Sequence, residues 1–313
     1  MSPLHVLDEV RLNFSPGSLL AMNVILAFVM FGIALRINFS DFREIVRKPK
    51  SFMVGVLSQF FLLPGVTFLF VWMLRPWLSP SVAMGMILVA ACPGGNISNF
   101  ITTLAKGNIS LSVSMSAFST LGCVLMTPFN FSFWGNLYSN TSKLVMPIEI
   151  NFWEMAQTVL ILLGIPIMLG ILFARKYPKI TQKLVRPMGI LSIVVFIGFV
   201  VMALAANSSY FIRYIHLIGL LVIAHNGLAL LIGYCAGRIT KLSWKDVRSV
   251  TIETGIQNSG LGLVLIFNPK LFDGLGGMAF IAAWWGIWHI ISGMGLAFCW
   301  QKKIPATETK SAE

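Results

Sequence analysis

Glu253 stands in the run Thr251 to Asn268, TIETGIQNSGLGLVLIFN, inside an apolar stretch long enough to cross a bilayer. Of the 11 acidic residues it alone lies deep within such a stretch; the others fall in loops, tails or near segment ends. A carboxylate in hydrocarbon is costly and marks a functional site. Two chemistries are open to it, coordinating a cation or carrying a proton. Its company favours a hard cation, which takes several oxygen ligands. Gln257 follows it, and Ser98 and Asn99 stand in a second polar run, Cys92 to Thr103 (CPGGNISNFITT). Ser112 and Ser116, one helical turn apart in the next segment, present two hydroxyls to the same side. Gln59 is the amide in the middle of VGVLSQFFLLP, where an interhelical hydrogen bond alone accounts for it equally well.

Neither polar run suits a continuous lipid-facing helix, because each unpaired polar group in hydrocarbon costs several kcal/mol. Both become reasonable if the helix breaks there and its freed carbonyls and side chains line a small wet cavity. Half-helix N-termini beginning near Gly94, Gly95 and Asn96, and near Asn258, Ser259 and Gly260, present N–H groups that suit an anion, while C-terminal half-ends suit a cation. His289, in GIWHIISG, is a further candidate for lining the same cavity, although a lone histidine is more often packed and hydrogen-bonded.

The elements that must hold these groups are membrane helices. Hydrophobic residues make up 57% of the chain and charged residues only 11%, with a mean hydropathy of +0.82; a soluble domain has about a quarter charged residues. Nine apolar segments fit, at about 17–36, 51–74, 81–105, 109–134, 152–174, 187–206, 214–236, 247–268 and 276–300. The formal charge of +12 does not mark a nucleic-acid face, because the basic residues sit in short gaps between these segments. Eighteen of the 23 Lys and Arg residues fall in alternate gaps, which predicts an external N-terminus and a cytoplasmic C-terminus. Residues 1–16 are then an external segment with no cleaved leader, 17–300 a single transmembrane domain, and 301–313 a cytoplasmic tail. The gap from about 136 to 151 is the longest external loop. Cys92, Cys123, Cys235 and Cys299 have no metal-binding spacing.

The broken segments are the third and the eighth. The first segment runs inward and the sixth outward, so segments 1–4 and 6–9 form an inverted repeat joined by the fifth, as in many transporters. No HExxH, GxGD or GxSxG run points to an enzyme.

Taken together, VGVLSQFFLLP, CPGGNISNFITTLAKGNISLSVSMSAFSTL, HNG at 225–227, TIETGIQNSGL and WHIISG resemble the bile acid:sodium symporter family over about residues 23–298, as a bacterial homologue of the sodium/bile acid cotransporters. The resemblance implies an all-α polytopic fold with two broken helices that cross. It implies a core of segments 2–4 and 7–9 (about 51–134 and 214–300) and a panel of segments 1, 5 and 6 (about 17–36 and 152–206). It implies two sodium sites, one of Ser98, Asn99, Ser112, Ser116 and Glu253, the other of Gln59, Glu253 and Gln257 with carbonyls near Thr254 and Ile256. Gly95, Asn96, Asn258, Ser259 and His289 are the candidate substrate residues. Asn96 replaces the small hydroxyl residue common there, and a threonine common at position 116 is serine.

The expectation is therefore a sodium-coupled importer of an organic anion, bile acid-like, pantoate-like or another carboxylate or sulfonate, working by alternating access in a bacterial cell membrane. Its partners are sodium, a small anion and lipid, with no nucleic acid and no obligatory protein. The alternative is a proton-coupled carrier of the same fold with Glu253 carrying the proton.

Overall fold

The apolar segments fold as helices, and their starts carry the residues that satisfy exposed N–H groups. Pro49 and Pro80 occupy first-turn positions, where no intrahelical N–H bond is lost. The side chains of Ser79, Asn151, Ser243 and Asn258 accept from backbone N–H groups of the helices they precede. The computed structural model describes residues 3–10, 16–37, 43–95, 97–142, 151–206, 208–268, 270–272 and 274–301. Its main helices are α1 (Pro16–Ala34), α2 (Pro49–Leu74), α3a (Pro80–Ala91), α3b (Ile97–Leu104), α4 (Ile109–Ser142) and α5 (Phe152–Lys176). They continue with α6 (Pro178–Ala206), α7 (Ser208–Ile239), α8a (Trp244–Gly255), α8b (Ser259–Phe267) and α9 (Gly276–Gln301).

Among the described residues five helices are long and apolar enough to cross a membrane, and they lie within α2, α4, α5, α7 and α9. The halves of α3 and α8 are 8 to 12 residues each, too short to span singly. Leu69, Met73, Leu125, Ile161 and Leu220 are each more than half exposed on the outer surface. Such a rim suits lipid, and the chain is an integral membrane protein.

The broken helices sit at the centre. In α3a every residue from Ser81 to Ala91 is buried, and so is every residue of α8b. Close packing depends on glycine at chosen contacts. A Cβ at Gly233 of α7 would lie 2.8 Å from the Thr251 Cα and the Val250 carbonyl of α8a, and Gly237, four residues on, faces Val247. This small-xxx-small spacing lets two backbones approach. Elsewhere α1 packs against α5 and α6.

Three features depart from the sequence reading. First, α4 does not end near Trp134 but runs to Ser142, 34 residues or about 50 Å. The polar residues Asn136, Ser139 and Asn140 continue the helix, so the expected external loop shrinks to a connection whose residues 143–150 lie outside those described. Second, the segment ahead of α1, expected only as an external segment, packs into the protein: Leu4, Leu7 and Val10 are buried. There the Asp8 carboxylate accepts from the Ser81 N–H at the start of α3a, and the Val10 carbonyl accepts from the Gly276 N–H. Third, α2 and α5 each contain one π-helical turn, Ser58–Leu62 and Leu160–Gly164. Each closes just before a proline, Pro64 or Pro166, whose ring cannot continue α-helical bonding.

Asp246, ahead of the apolar part of α8a, ties three elements together. Its carboxylate accepts from Lys48 Nζ at 3.1 Å, Ser51 Oγ at 2.9 Å and Asn108 Nδ2 at 2.7 Å. Burial pushes its carboxyl up, but the hydrogen bonds from Asn108, Lys48, Ser243 and Ser51 outweigh burial and hold it below the ordinary aspartate value. The charged form therefore adds stability that is complete above about pH 3.8 and is lost as pH falls through the depressed folded value. Asp246→Asn should lower unfolding stability by about 1.5–3 kcal/mol at neutral pH and remove this part of the acid-side loss, read from melting curves across pH. Gly233→Ala should cost about 1–3 kcal/mol, because the atoms it meets are backbone and have nowhere to go; denaturant unfolding of the purified variant checks this.

Candidate functional site

The two breaks lie against each other. Between α3a and α3b the chain is extended through Gly94 and Gly95; between α8a and α8b it is extended through Ile256 and Gln257. Gly94 and Gln257 form an antiparallel bridge. The Gly95 N–H donates to the Ile256 carbonyl at 2.8 Å, and the Asn258 N–H donates to the Pro93 carbonyl at 2.8 Å. Groups freed at one break thus satisfy groups freed at the other. The contact has no room for side chains at the glycines. A Cβ at Gly95 would sit 3.0 Å from the Gln257 carbonyl oxygen, and one at Gly94 2.6 Å from Glu253 Oε1.

Glu253, in the last turn of α8a, is 2% exposed. Its Oε2 accepts from Ser98 Oγ at 2.6 Å and Ser112 Oγ at 3.1 Å, and its Oε1 from Ser116 Oγ at 2.7 Å. The Asn99 side-chain oxygen closes the group, lying 2.8 Å from Ser112 Oγ and 3.3 Å from Ser116 Oγ, each of which has one proton to share between it and Glu253. Six oxygens from α3b, α4 and α8a converge here: two of a carboxylate, three of hydroxyls and one of an amide. Among the described residues, the ion pairs are His5–Asp8 and Lys48–Asp246, and no cationic side chain balances Glu253. A donor set of oxygen alone, carrying one negative charge, fits a hard monovalent cation.

Gln59 and Gln257 form a second group. Gln59 Nε2 donates to Gln257 Oε1 at 2.7 Å and to the Cys92 carbonyl at 3.0 Å. Gln257 Nε2 donates to the Thr254 carbonyl at 2.7 Å and lies 3.3 Å from Gln59 Oε1. Here the π turn of α2 acts: Gln59 is buried while Phe61 and Leu62, on the same turn, face outward. The Ile256 carbonyl is engaged by the Gly95 N–H.

The residues read as substrate-binding are only partly drawn together. Gly95 is at the crossing. Asn258 caps α8b, its Oδ1 accepting from the Leu261 N–H at 3.2 Å. Ser259 packs against α9 at Gly286, where a Cβ would come within 2.6 Å of the serine Oγ. His289, one turn further along α9, is 4% exposed, and its Nδ1 has no hydrogen-bond partner among the described residues. Asn96 lies outside the described residues.

Sequence reasoning missed Asn226. Its Nδ2 donates to the Gly255 carbonyl at 2.8 Å, and its Oδ1 accepts from Ser292 Oγ, so it clamps the end of α8a to α9. The HNG run contained this residue, but only spatial proximity reveals what it holds. The neighbouring His225 is buried, 2.9 Å from Thr67 and edge-on to Trp285.

Comparison with known proteins identifies the family. A profile of the Sodium Bile acid symporter family matches residues 23–214. The chain is 32% identical to an uncharacterized sodium-dependent transporter, YocS, of Bacillus subtilis, over 93% of this chain and 86% of that one. It is 30% identical to a probable chloroplastic sodium/metabolite cotransporter, BASS2, of rice, over 77% of this chain and 55% of the relative. It is 26% identical to a mouse sodium-dependent organic anion transporter, over 89% and 72% of the two chains. These relatives are transporters rather than enzymes, and sodium dependence runs through their names. This chain belongs to the sodium bile acid symporter family.

Proposed function

We propose that the protein imports a small organic anion by coupling it to inward sodium movement. The observation that carries this reading is the Glu253 cluster: six converging oxygens, two of them those of a buried carboxylate that no cation among the described residues balances. Ser98, Asn99, Ser112, Ser116 and Glu253 would hold one sodium ion. Gln59, Gln257 and Glu253, with the carbonyls of Thr254 and Ile256, would hold a second. Glu253 belongs to both sets, so filling one changes the field at the other.

The anion would lie near the crossing, where the N-terminal ends of α3b and α8b offer positive dipole ends. Gly95, Asn96, Asn258, Ser259 and His289 are its proposed contacts. The names of the mouse and rice relatives support an organic anion or metabolite as cargo. In this reading the chain crosses the bilayer nine times as an inverted repeat, with its C-terminus in the cytoplasm of a bacterial cell. A core of about 51–134 and 214–300 rocks against a panel of about 17–36 and 152–206 to expose the site alternately.

A ligand that binds only the folded protein stabilises it by about 2.7 kcal/mol at one hundred times its Kd. Purified protein should therefore melt at a higher temperature in sodium than in choline at equal ionic strength. The rise should grow with the logarithm of sodium concentration and vanish in Glu253→Gln and in the paired variant Ser112→Ala/Ser116→Ala. Melting that ignores sodium but follows pH, with the serine pair dispensable, would establish the proton-coupled alternative instead. Gly94→Ala should weaken sodium binding by about 1–3 kcal/mol, because its methyl group displaces Glu253 Oε1; a sodium titration matching the wild type would refute that placement.

A further inference from the structure

In the sequence Arg248 is one more cation at the edge of the eighth apolar segment. In the fold it differs from its neighbours. Lys241 and Lys245 are exposed, whereas Arg248 is 3% exposed, in α8a five residues before Glu253. Its Nη1 donates to the Ala105 carbonyl at 2.8 Å. The guanidinium carbon lies 5.6 Å from the ring centre of Trp244 and 5.8 Å from that of Trp300. A guanidinium keeps its charge when buried, and it offers flat faces to indoles while its edge donates.

Ala105 closes α3b. Its N–H donates to the Ile101 carbonyl at 2.9 Å, and its own carbonyl lies at the negative end of the helix dipole, where a cation is favoured. The helix has eight residues, between the break at Gly95 and the turn at Lys106 and Gly107. One face of it, Ser98, Ile101, Thr102 and Ala105, is buried. Ile101 and Ala105 share an apolar cluster with Ile252 and Ile256, so this face lies along α8a. A hydrogen bond stands at each end of that contact, Ser98 Oγ to Glu253 at 2.6 Å and Arg248 to the Ala105 carbonyl. Seven residues separate the two on α3b, about 10.5 Å of rise, and five on α8a, about 7.5 Å. The long arginine side chain spans the difference. Beyond α3b the Asn108 N–H holds the start of α4 to the Lys245 carbonyl, so Arg248 acts on the helix end itself.

We propose that Arg248 is a positioning residue for the site formed by Ser98, Asn99, Ser112, Ser116 and Glu253. It anchors the far end of α3b, so that Ser98 and Asn99 at the near end meet Glu253 and the two serines of α4. A short helix fixed at one end can pivot; fixed at both ends it cannot. Because Glu253 and Arg248 stand on one helix, α8a sets both ends of α3b as a single rigid body. Arg248 does this without contacting the ion, and its own charge works against a cation nearby. Loss of the charge alone would therefore tighten sodium binding, whereas loss of the anchor weakens it. The two roles have opposite signs.

This inference rests on the sodium-coupled reading, and one experiment separates the two. Sodium is titrated against purified wild type, Arg248→Gln, Arg248→Lys and Trp300→Leu, with choline holding ionic strength constant. The apparent sodium Kd is fitted from the rise in melting temperature with concentration. Glutamine should raise that Kd about 3- to 10-fold, the scale of losing one hydrogen bond. Lysine, which keeps a cation able to reach the Ala105 carbonyl, should recover part of the loss. Combined with Ser98→Ala, glutamine should cost less than it does alone, because a group that Arg248 positions is then gone. Trp300→Leu keeps the charge and removes one face of its stack; it should weaken sodium too, and it answers the question if the glutamine variant fails to fold. Unchanged or tighter sodium binding in either folded variant overturns the inference, and so does lysine no better than glutamine. A fully additive loss with Ser98→Ala overturns it as well, because Arg248 then acts apart from that site. A wild type that ignores sodium removes the sodium reading and this inference with it.

Discussion

A chain interrupted inside a membrane must find partners for the backbone groups it frees. In this protein two interruptions lie at one level and answer each other, through the Gly95–Ile256 and Asn258–Pro93 hydrogen bonds. The pairing resembles one rung of a β-ladder set inside a helical protein. It removes the main cost of the breaks and dictates the rest of the site. Glycine is required at 94 and 95 because carbonyl and carboxylate oxygens occupy the places of their missing side chains. Glu253 comes to the start of α3b because α8a must end where the two chains cross.

Other elements serve that crossing. The α4 helix supplies hydroxyls at a fixed spacing on a rigid rod, so Ser112 and Ser116 reach the two carboxylate oxygens without moving the backbone. From the far side Asn226 engages the Gly255 carbonyl, one residue before the break, and is itself held by Ser292. Glycine contacts between α7 and α8a bring their backbones close and make those two helices a single rigid support. Further along α8a, Asp246 fastens the same helix to the start of α2 and to the turn before α4. Support of this kind limits the freedom of side chains that must meet within a few tenths of an ångström.

Much of the site was legible in the sequence because membrane interiors punish polar residues. Glu253, Ser98, Asn99, Ser112, Ser116, Gln59 and Gln257 stood out against hydrocarbon, and the Pro-Gly-Gly and Gln-Asn-Ser-Gly runs located the breaks. What was missed had no such contrast. Pro64 signals disturbed helical bonding without saying that the turn would widen rather than kink. Leu4, Leu7 and Val10 are too few to register as an element, yet each finds a buried place. The α4 helix outlasts its apolar stretch because helical bonding does not require hydrophobic residues beyond the bilayer. Asp246 reads as an unremarkable acid near a segment end, and only the fold brings Lys48, Ser51 and Asn108 to it. Asn226 likewise gains meaning only from helices distant in sequence.

The wide turn in α2 bears on how such a site arises. A π turn accommodates one residue more than the α-helical turn it replaces, and each residue rotates a helix by about 100°. The extra residue in the turn Ser58–Leu62 therefore separates two requirements that a regular helix would bind together. The part of α2 before the turn keeps the face that packs on α4 and α8a, and the part after it keeps its own. Gln59, inside the turn, is free to point where neither periodicity would send it. The amide pair at the crossing thus depends on a locally widened helix, and Pro64, just beyond the turn, denies that helix its regular hydrogen bond.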